Sequence, residues 1–191
     1  ILNRLKEIAQ SIHGETVIIT FFPHPRLVLY PEDNNLKLIN TLEEKIVLLE
    51  EIGIDHLIII PFTPEFSRLT SEQFIRQILI EKINTKKLVI GYDHHFGRNR
   101  EGSFEHLKQY APQYGFEVEE IHEQDINDVA VSSTKIRSAV EEGDIHTANT
   151  YLGYPFTLSG TVIKGDQIGR TLGYPTANLQ LEQSYKLIPA D

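Results

Sequence analysis

Short β-branched runs that alternate with helix-patterned segments constrain this chain more than any other feature of its sequence. Residues 16–22 read TVIITFF, long enough for a buried strand and too short for a helix of ordinary length. His56–Pro61 and Lys87–Gly91 repeat that signature, and residues 116–121 form a fourth run. Between these runs the apolar spacing is helical. Leu2, Leu5, Ile8, Ala9 and Ile12 share one face at the start of the chain, which implies that the sequence opens inside a domain. Thr41 can cap a second helix and Glu44 can complete a capping box; Leu42, Ile46 and Leu49 follow at helical spacing, and Gly53 ends the pattern. Thr70 with Gln73 opens a third helix, whose stripe is Phe74, Ile75, Ile78, Leu79 and Ile83, and residues 103–114 supply a fourth. Parallel strands need crossover connections, usually helices, so this order predicts an α/β fold with a doubly wound parallel sheet. Ligands of such sheets bind beyond the carboxyl ends of the strands.

The pattern changes at Leu152, Gly153, Tyr154 and Pro155. Residues 156–164 then read as an amphipathic strand, and the remainder is rich in turn residues with no helix of useful length. A boundary is therefore expected between a domain of residues 1–153 and the start of another at 154–191; the 191 residues suit one domain plus part of a second. No run approaches the ~20 apolar residues needed to span a bilayer, which excludes a membrane-embedded protein. A formal charge of −9 argues against extended nucleic-acid binding and leaves phosphate recognition to local groups. The chain has no cysteine, so disulfides, thiolate metal sites and thiol nucleophiles are impossible, and no secretory signal opens it. A cytoplasmic location is expected.

The loops at the strand ends carry the candidate chemistry. After the first run comes Phe21, Phe22, Pro23, His24, Pro25 and Arg26: two prolines fix the backbone around one histidine, and two aromatic rings offer a flat surface to a ligand ring. After the third run come Gly91, Tyr92, Asp93, His94, His95, Phe96, Gly97 and Arg98, continuing to Gly102, with glycines for close backbone approach and cations for phosphate oxygens. Asp93, His94 and His95 could instead be read as metal ligands, but neighbours on an extended segment point to opposite sides, which disfavours one shared ion.

Ser132, Ser133, Thr134, Lys135, Ile136 and Arg137 open a helix, so three hydroxyls and several backbone amides gather at its positive end. Lys135 and Arg137 oppose the helix dipole in that first turn, a placement that an anion such as a triphosphate would offset; an ordinary serine cap with solvated cations is the alternative. Farther on, glycines 165, 169 and 173 permit a tight loop around Arg170, and Thr176 and Asn178 offer a hydroxyl and an amide oxygen, hard ligands suited to magnesium carrying nucleotide phosphates.

Taken in order, Phe22 to Pro25, Gly91 to Gly102, Ser132 to Arg137 and Gly169 to Asn178 resemble the bacterial bifunctional riboflavin kinase/FMN adenylyltransferase (FAD synthetase) family over essentially the whole chain. The resemblance implies a nucleotidyltransferase-type, Rossmann-like α/β domain that transfers AMP from ATP to FMN, followed by the start of a small β-barrel kinase domain that phosphorylates riboflavin. It implies flavin contacts from Phe22, Pro23, His24, Pro25, Tyr92, Asp93, Phe96 and Arg98. ATP and phosphate contacts would come from Ser132, Ser133, Thr134, Lys135, Arg137, Gly91, Asp93, Gly165 and Arg170, with Arg137, Ser133 and Thr134 stabilising charge in the reaction. Thr176 and Asn178 would hold Mg2+. The substrates implied are ATP, FMN and riboflavin, with neither nucleic acid nor membrane as a partner; no oligomeric state is implied.

In the family a glycine-rich motif with paired histidines precedes the helix that opens this sequence, and His94 and His95 belong to a different motif. In the family the acidic base of the kinase half comes after the motif matched by Gly169 to Asn178, and it is expected beyond the last residue here. The native protein is therefore expected to be longer at both ends. Two other readings remain open at this stage: a related nucleotidyltransferase acting on another small phosphate, and a noncatalytic flavin- or nucleotide-binding fragment.

Overall fold

A computed structural model describes residues 1–32, 36–91, 94–121, 125–126, 129–166 and 168–189. The chain divides into two compact units: Ile1–Asn34 with Glu50–Asp125, and Asn35–Leu49 with Ile126–Asp191.

In the first unit, helix α1 (Leu2–Ser11) buries Ile8 and Ala9. Strand β1 (Val17–Phe22) leads into the short helix α2 (Pro25–Leu29); helix α3 (Leu42–Ile52), of which residues 42–49 are counted with the second unit, precedes β2 (His56–Pro61). β1 and β2 pair in parallel, from Val17 opposite His56 to Phe22 opposite Pro61. The amino ends are locked by side chains: Asp55 Oδ2 accepts from the Thr16 amide at 2.8 Å and hydroxyl at 2.7 Å, and the Asp55 amide donates to Thr16 Oγ1 at 2.9 Å. Helix α4 (Ser71–Phe74) has the expected capping box between Thr70 and Gln73, then continues as a π-helix over Ile75–Ile80. Strand β3 (Lys87–Gly91), helix α5 (Phe104–Tyr114) and strand β4 (Glu117–Ile121) form a second parallel pair. The core of this unit packs Ile75 and Leu79 against Ile90, Leu107, Ala111 and Phe116.

The doubly wound sheet read from the sequence is corrected here. Among the described residues β1–β2 and β3–β4 are two separate two-stranded parallel sheets, and no ladder joins them. The helix-strand alternation specifies parallel pairing within each couple; joining the couples is a non-local matter that periodicity does not encode.

Strands β5 (Asp125–Ile126) and β6 (Val129–Ala130) form a short pair. The second unit contains helices α6 (Ser133–Glu141) and α7 (Ile145–Leu152), the latter ended by left-handed Gly153. Its core is Ala139, Val140, Ala148 and Leu187, with Ile39, Ile145 and Phe156 packed around them. Strands β7 (Thr161–Ile163) and β8 (Asn178–Gln180) pair antiparallel, with the one-turn helix α8 (Ile168–Thr171) between them.

The expected barrel is also corrected: no sheet of the described residues closes on itself. Closure needs several tilted strands in a continuous ladder, and two strands of three residues each form only a hairpin. The strand expected over residues 156–164 is correspondingly reduced to Thr161–Ile163, all exposed.

Hydrogen bonds from the Thr16 amide and then its hydroxyl hold the Asp55 carboxyl below its ordinary pKa. A depressed carboxylate stabilises the fold above its unfolded-state pKa, and that contribution is lost as pH falls through the folded value. Asp55→Asn is expected to lower the melting temperature near neutral pH, with the gap to the unmodified protein closing as pH drops through the acid range. A gap independent of pH would contradict this reading.

Candidate functional site

At the carboxyl end of β1, His24 occupies the N-cap of α2 and its Nδ1 accepts from the Arg26 amide at 3.2 Å, with Pro25 at the first helical position. The Phe22–Pro23 peptide is cis. The Phe21 ring does not stand apart as a lone platform. It meets Phe62 at 5.7 Å and Phe66 at 5.4 Å between ring centroids; Phe66 reaches Phe74 at 6.2 Å, and Phe74 reaches Phe96 at 5.6 Å. His94 stacks on Phe96 with centroids 6.2 Å apart and planes 22° apart. This ladder of rings ties the loop after β1 to the loop after β3. Phe62 and Phe66 were not singled out in the sequence, their only signal being a pair of phenylalanines just after the second strand, and Phe74 was read only as part of a helix stripe.

The loop after β3 is clasped at its base by Phe96 and Gly102, which exchange backbone hydrogen bonds at 3.1 and 2.8 Å. The Arg98 amide donates to the Leu69 carbonyl at 2.7 Å, and Glu101 Oε1 accepts from the Ser71 amide at 2.9 Å. Gly97 has φ +72°, and a Cβ there would lie 2.7 Å from the Ser71 amide nitrogen, so the close backbone approach requires glycine. Asn99 and Arg100 both have positive φ, 54° and 59°. Arg98 and Arg100 are exposed. Gly91 ends β3; Tyr92 and Asp93 lie outside the described residues.

His24, Arg26, His94, Phe96 and Arg98 all line one cavity of the first unit, about 1390 Å³ in volume. It exceeds the ~300–1,000 Å³ of ordinary small-ligand pockets. The excess has a structural cause, since the cavity also runs between β1 and β3, which do not pair with each other.

In the second unit, Ser132 caps α6 and its hydroxyl accepts from the Lys135 amide at 3.3 Å. No acidic residue lies in the first turn. Ser132, Ser133, Thr134 and Lys135 are all exposed there. The two cations behave differently: Lys135 Nζ turns back to the Ala130 carbonyl at 2.8 Å, whereas Arg137 Nε donates to the Lys37 carbonyl at 2.9 Å. The Arg137 bond fixes the guanidinium plane through Nε and does not use the Nη groups, the pair suited to bidentate contact with a phosphate.

Along the hairpin of the second unit, the glycines have contact partners. A Cβ at Gly165 would fall on the Asn178 side-chain amide, nearest its Nδ2, so Asn178 Oδ1 points away from Gly165. At Gly169 a Cβ would meet the Tyr174 carbonyl and would lie 3.1 Å from Thr176 Oγ1. Tyr174 donates from its amide to the Gly169 carbonyl at 2.8 Å, which closes a tight turn around exposed Arg170. Thr176 and Asn178 are exposed hard-oxygen donors. Such donors suit magnesium only if phosphate and water oxygens complete its six ligands. Among the described residues no group of three or more His, Cys, Asp or Glu side chains could hold a metal ion, and no helix is long and apolar enough to cross a membrane.

Parallel strand pairs joined by helices, with ring faces and cations gathered on the loops at their carboxyl ends, define an α/β protein of Rossmann-like type. Comparison with known proteins gives the family: a model described as FAD synthetase matches residues 1–135, and the chain belongs to that family. A second model, riboflavin kinase, matches residues 152–191. The chain is 37% identical over 189 residues to the bifunctional riboflavin kinase/FMN adenylyltransferase of Listeria monocytogenes, covering 99% of this chain and 59% of that protein. It is 40% identical over 188 residues to the protein of the same name from Buchnera aphidicola of Schizaphis graminum, covering 98% and 60%. The chain thus spans about three fifths of the length of these relatives. A crystal structure described as a macrolide-efflux protein from Streptococcus pneumoniae superposes with a TM-score of 0.87 at 32% identity, over 100% of this chain and 61% of that one.

Gly97→Ala and Gly115→Ala make a matched test of the clasped loop. Both glycines have positive φ, but a Cβ at Gly115 would meet nothing within 4 Å. Gly115→Ala is expected to cost about 1 kcal/mol for its backbone conformation alone, and Gly97→Ala about 1–3 kcal/mol more as the Ser71 contact is forced apart. Urea unfolding midpoints of the two variants check this; equal midpoints would refute the close approach.

Proposed function

We propose that the chain is part of a bifunctional enzyme of FAD biosynthesis, in which one segment transfers AMP from ATP to FMN and another takes part in the phosphorylation of riboflavin by ATP. The observation that carries this reading is the succession of a FAD synthetase match and a riboflavin kinase match in one chain, with both relatives described above bearing the bifunctional name. We assign residues 1–153 to the adenylyltransferase domain and residues 154–191 to the start of the kinase domain.

In adenylyl transfer an FMN phosphate oxygen attacks the α-phosphorus of ATP. The new P–O bond joins FMN to AMP, the bond from the α-phosphorus to the α,β-bridging oxygen breaks, and pyrophosphate leaves with that electron pair. No protein nucleophile is needed; the task is alignment and neutralisation of charge. The α6 amino terminus suits the triphosphate, with the hydroxyls of Ser132, Ser133 and Thr134 beside its backbone amides and no carboxylate in the first turn to oppose an anion. Arg137, oriented through Nε by the Lys37 carbonyl, would offer its Nη groups to the phosphoryl oxygens of ATP from the moment of binding and keep them there through the transition state. Lys135 would serve as a second cation once released from the Ala130 carbonyl.

The flavin ring would lie against the loops of the first unit, where His24, Pro25, Phe96 and Arg98 line one cavity, with Phe22, Pro23, Tyr92 and Asp93 as further contacts and Gly91 and Asp93 also near the nucleotide. In the kinase segment Gly165 leaves room for the Asn178 amide, and Thr176, Asn178 and Arg170 would address the phosphates of ATP. Mg2+ would supply neutralisation of the nucleotide charge there, held by Thr176 and Asn178 together with phosphate oxygens. The protein is proposed to act in the cytoplasm, on small-molecule substrates and not on nucleic acid.

Full-length protein incubated with riboflavin, ATP and magnesium should yield both FMN and FAD on chromatographic separation, and chelation of magnesium should abolish FMN formation. Appearance of neither flavin would defeat the proposal, and FMN without FAD would leave only its kinase half. Asn178→Ala is expected to reduce FMN formation by about a hundredfold or more, in the range of lost phosphate and metal contacts, while sparing FAD formation from supplied FMN. Equal loss of both would contradict the two-site assignment.

A further inference from the structure

The buried charged side chains among the described residues are Glu44 and Lys186, and neither belongs to the groups assigned above. Lys186 is 2% exposed, and its Nζ donates to Glu44 Oε2 and to the Ile39 carbonyl, the latter at 2.6 Å; it also lies 4.5 Å from the centre of the Phe156 ring. An ammonium is costly to bury unless its partners are well placed, so a cation held by a carboxylate, a carbonyl and a ring face has a closely determined position.

What this cation holds is the segment of residues 37–39. The Leu38 amide donates to the Tyr185 carbonyl at 2.7 Å, and the Leu187 amide donates to the Leu38 carbonyl at 2.9 Å, so Leu38 and Lys186 form a parallel bridge. Lys37 Nζ donates to the Ser184 carbonyl at 2.7 Å. The same three residues present the Lys37 carbonyl that receives Arg137 Nε at 2.9 Å. Residues 37–39 therefore form a strap, fastened on one side to residues 184–187 and set against the Arg137 guanidinium on the other.

We propose that Lys186 is a positioning residue for adenylyl transfer: by fixing the strap through Glu44 and Ile39, it sets the carbonyl that orients Arg137 toward the ATP phosphates. This rests on the assignment of α6 as the triphosphate site. It makes the adenylyltransferase step depend on a residue inside the segment that matches riboflavin kinase, 152–191. Lys186 touches no substrate; its effect passes through the strap.

The test uses full-length protein and measures FAD formation from FMN over a range of ATP concentrations. Two variants are compared: Lys186→Met, and Lys186→Met with Glu44→Gln, which leaves no unpaired buried charge and keeps an acceptor for the Thr41 cap. The KM for ATP is expected to rise about tenfold in both, with kcat within about threefold of the unmodified enzyme, because a misdirected Arg137 weakens nucleotide binding. In an Arg137→Ala background, adding Lys186→Met should raise the KM no further, since the shared route is already lost. An unchanged KM in the folded double variant, with activity falling only in proportion to folded protein, would overturn the inference, as would full additivity with Arg137→Ala. A failure of the unmodified protein to make FAD from FMN and ATP would instead overturn the adenylyl-transfer reading on which the inference rests.

Discussion

Parallel pairing is the constraint from which the rest of the first unit follows. A strand can meet a parallel neighbour only after the chain has crossed back, so the segments between β1 and β2, and between β3 and β4, must be long, and each contains a helix. The same geometry sends both strands of a pair out at one end. Thr16 and Asp55 close the amino end of the first pair with a reciprocal set of hydrogen bonds, which leaves the carboxyl ends to carry the loops. There the chain spends its aromatic residues. The phenyl rings from Phe21 to Phe96 meet one another at tilted and edge angles, an arrangement that joins the loop after β1 to the loop after β3 although those two strands do not pair.

Much of the local structure was legible because its signals are short-range. Thr41 with Glu44, Thr70 with Gln73, and Ser132 before its helix each depend on groups three residues apart, and each cap forms where the sequence places it. The strand runs were legible for the same reason, since a β-branched stretch of six residues declares itself. The π-helix over Ile75–Ile80 was not, because its apolar stripe at positions 74, 75, 78 and 79 is equally good for an α-helix. Sheet continuity and barrel closure were misread, since both depend on which edges meet, and hydropathy does not record that. Of the site, the motifs were visible as types of residue. That Gly165 exists to admit the Asn178 amide, or that His94 stacks on Phe96, could be known only from the folded chain. Lys186 and Glu44 are 142 residues apart, and nothing local marks either as buried.

Glu44 shows how one side chain can serve two levels of structure. Its amide donates to Thr41 Oγ1, and its Oε2 accepts from the Thr41 amide, which together start α3. The same Oε2 accepts from Lys186. Helix initiation and the docking of residues 184–187 thus share a single oxygen atom, while Oε1 has no hydrogen-bond partner among the described residues. A buried pair of this kind contributes little net stability compared with well-packed apolar groups, but it discriminates strongly between arrangements, because any displacement strands a charge.

The loop clasped between Phe96 and Gly102 has a further consequence. Two successive residues with side chains, Asn99 and Arg100, sit in left-handed backbone that only glycine adopts without cost. Such a conformation persists only when its surroundings over-determine it, which here means the Phe96–Gly102 exchange, the Arg98 amide on Leu69 and the Glu101 carboxylate on Ser71. The arginine heads are therefore borne on a backbone that resists being flattened. A ligand that met them would meet a shape already formed, and the entropy of ordering that loop would be settled during folding and not at the moment of binding.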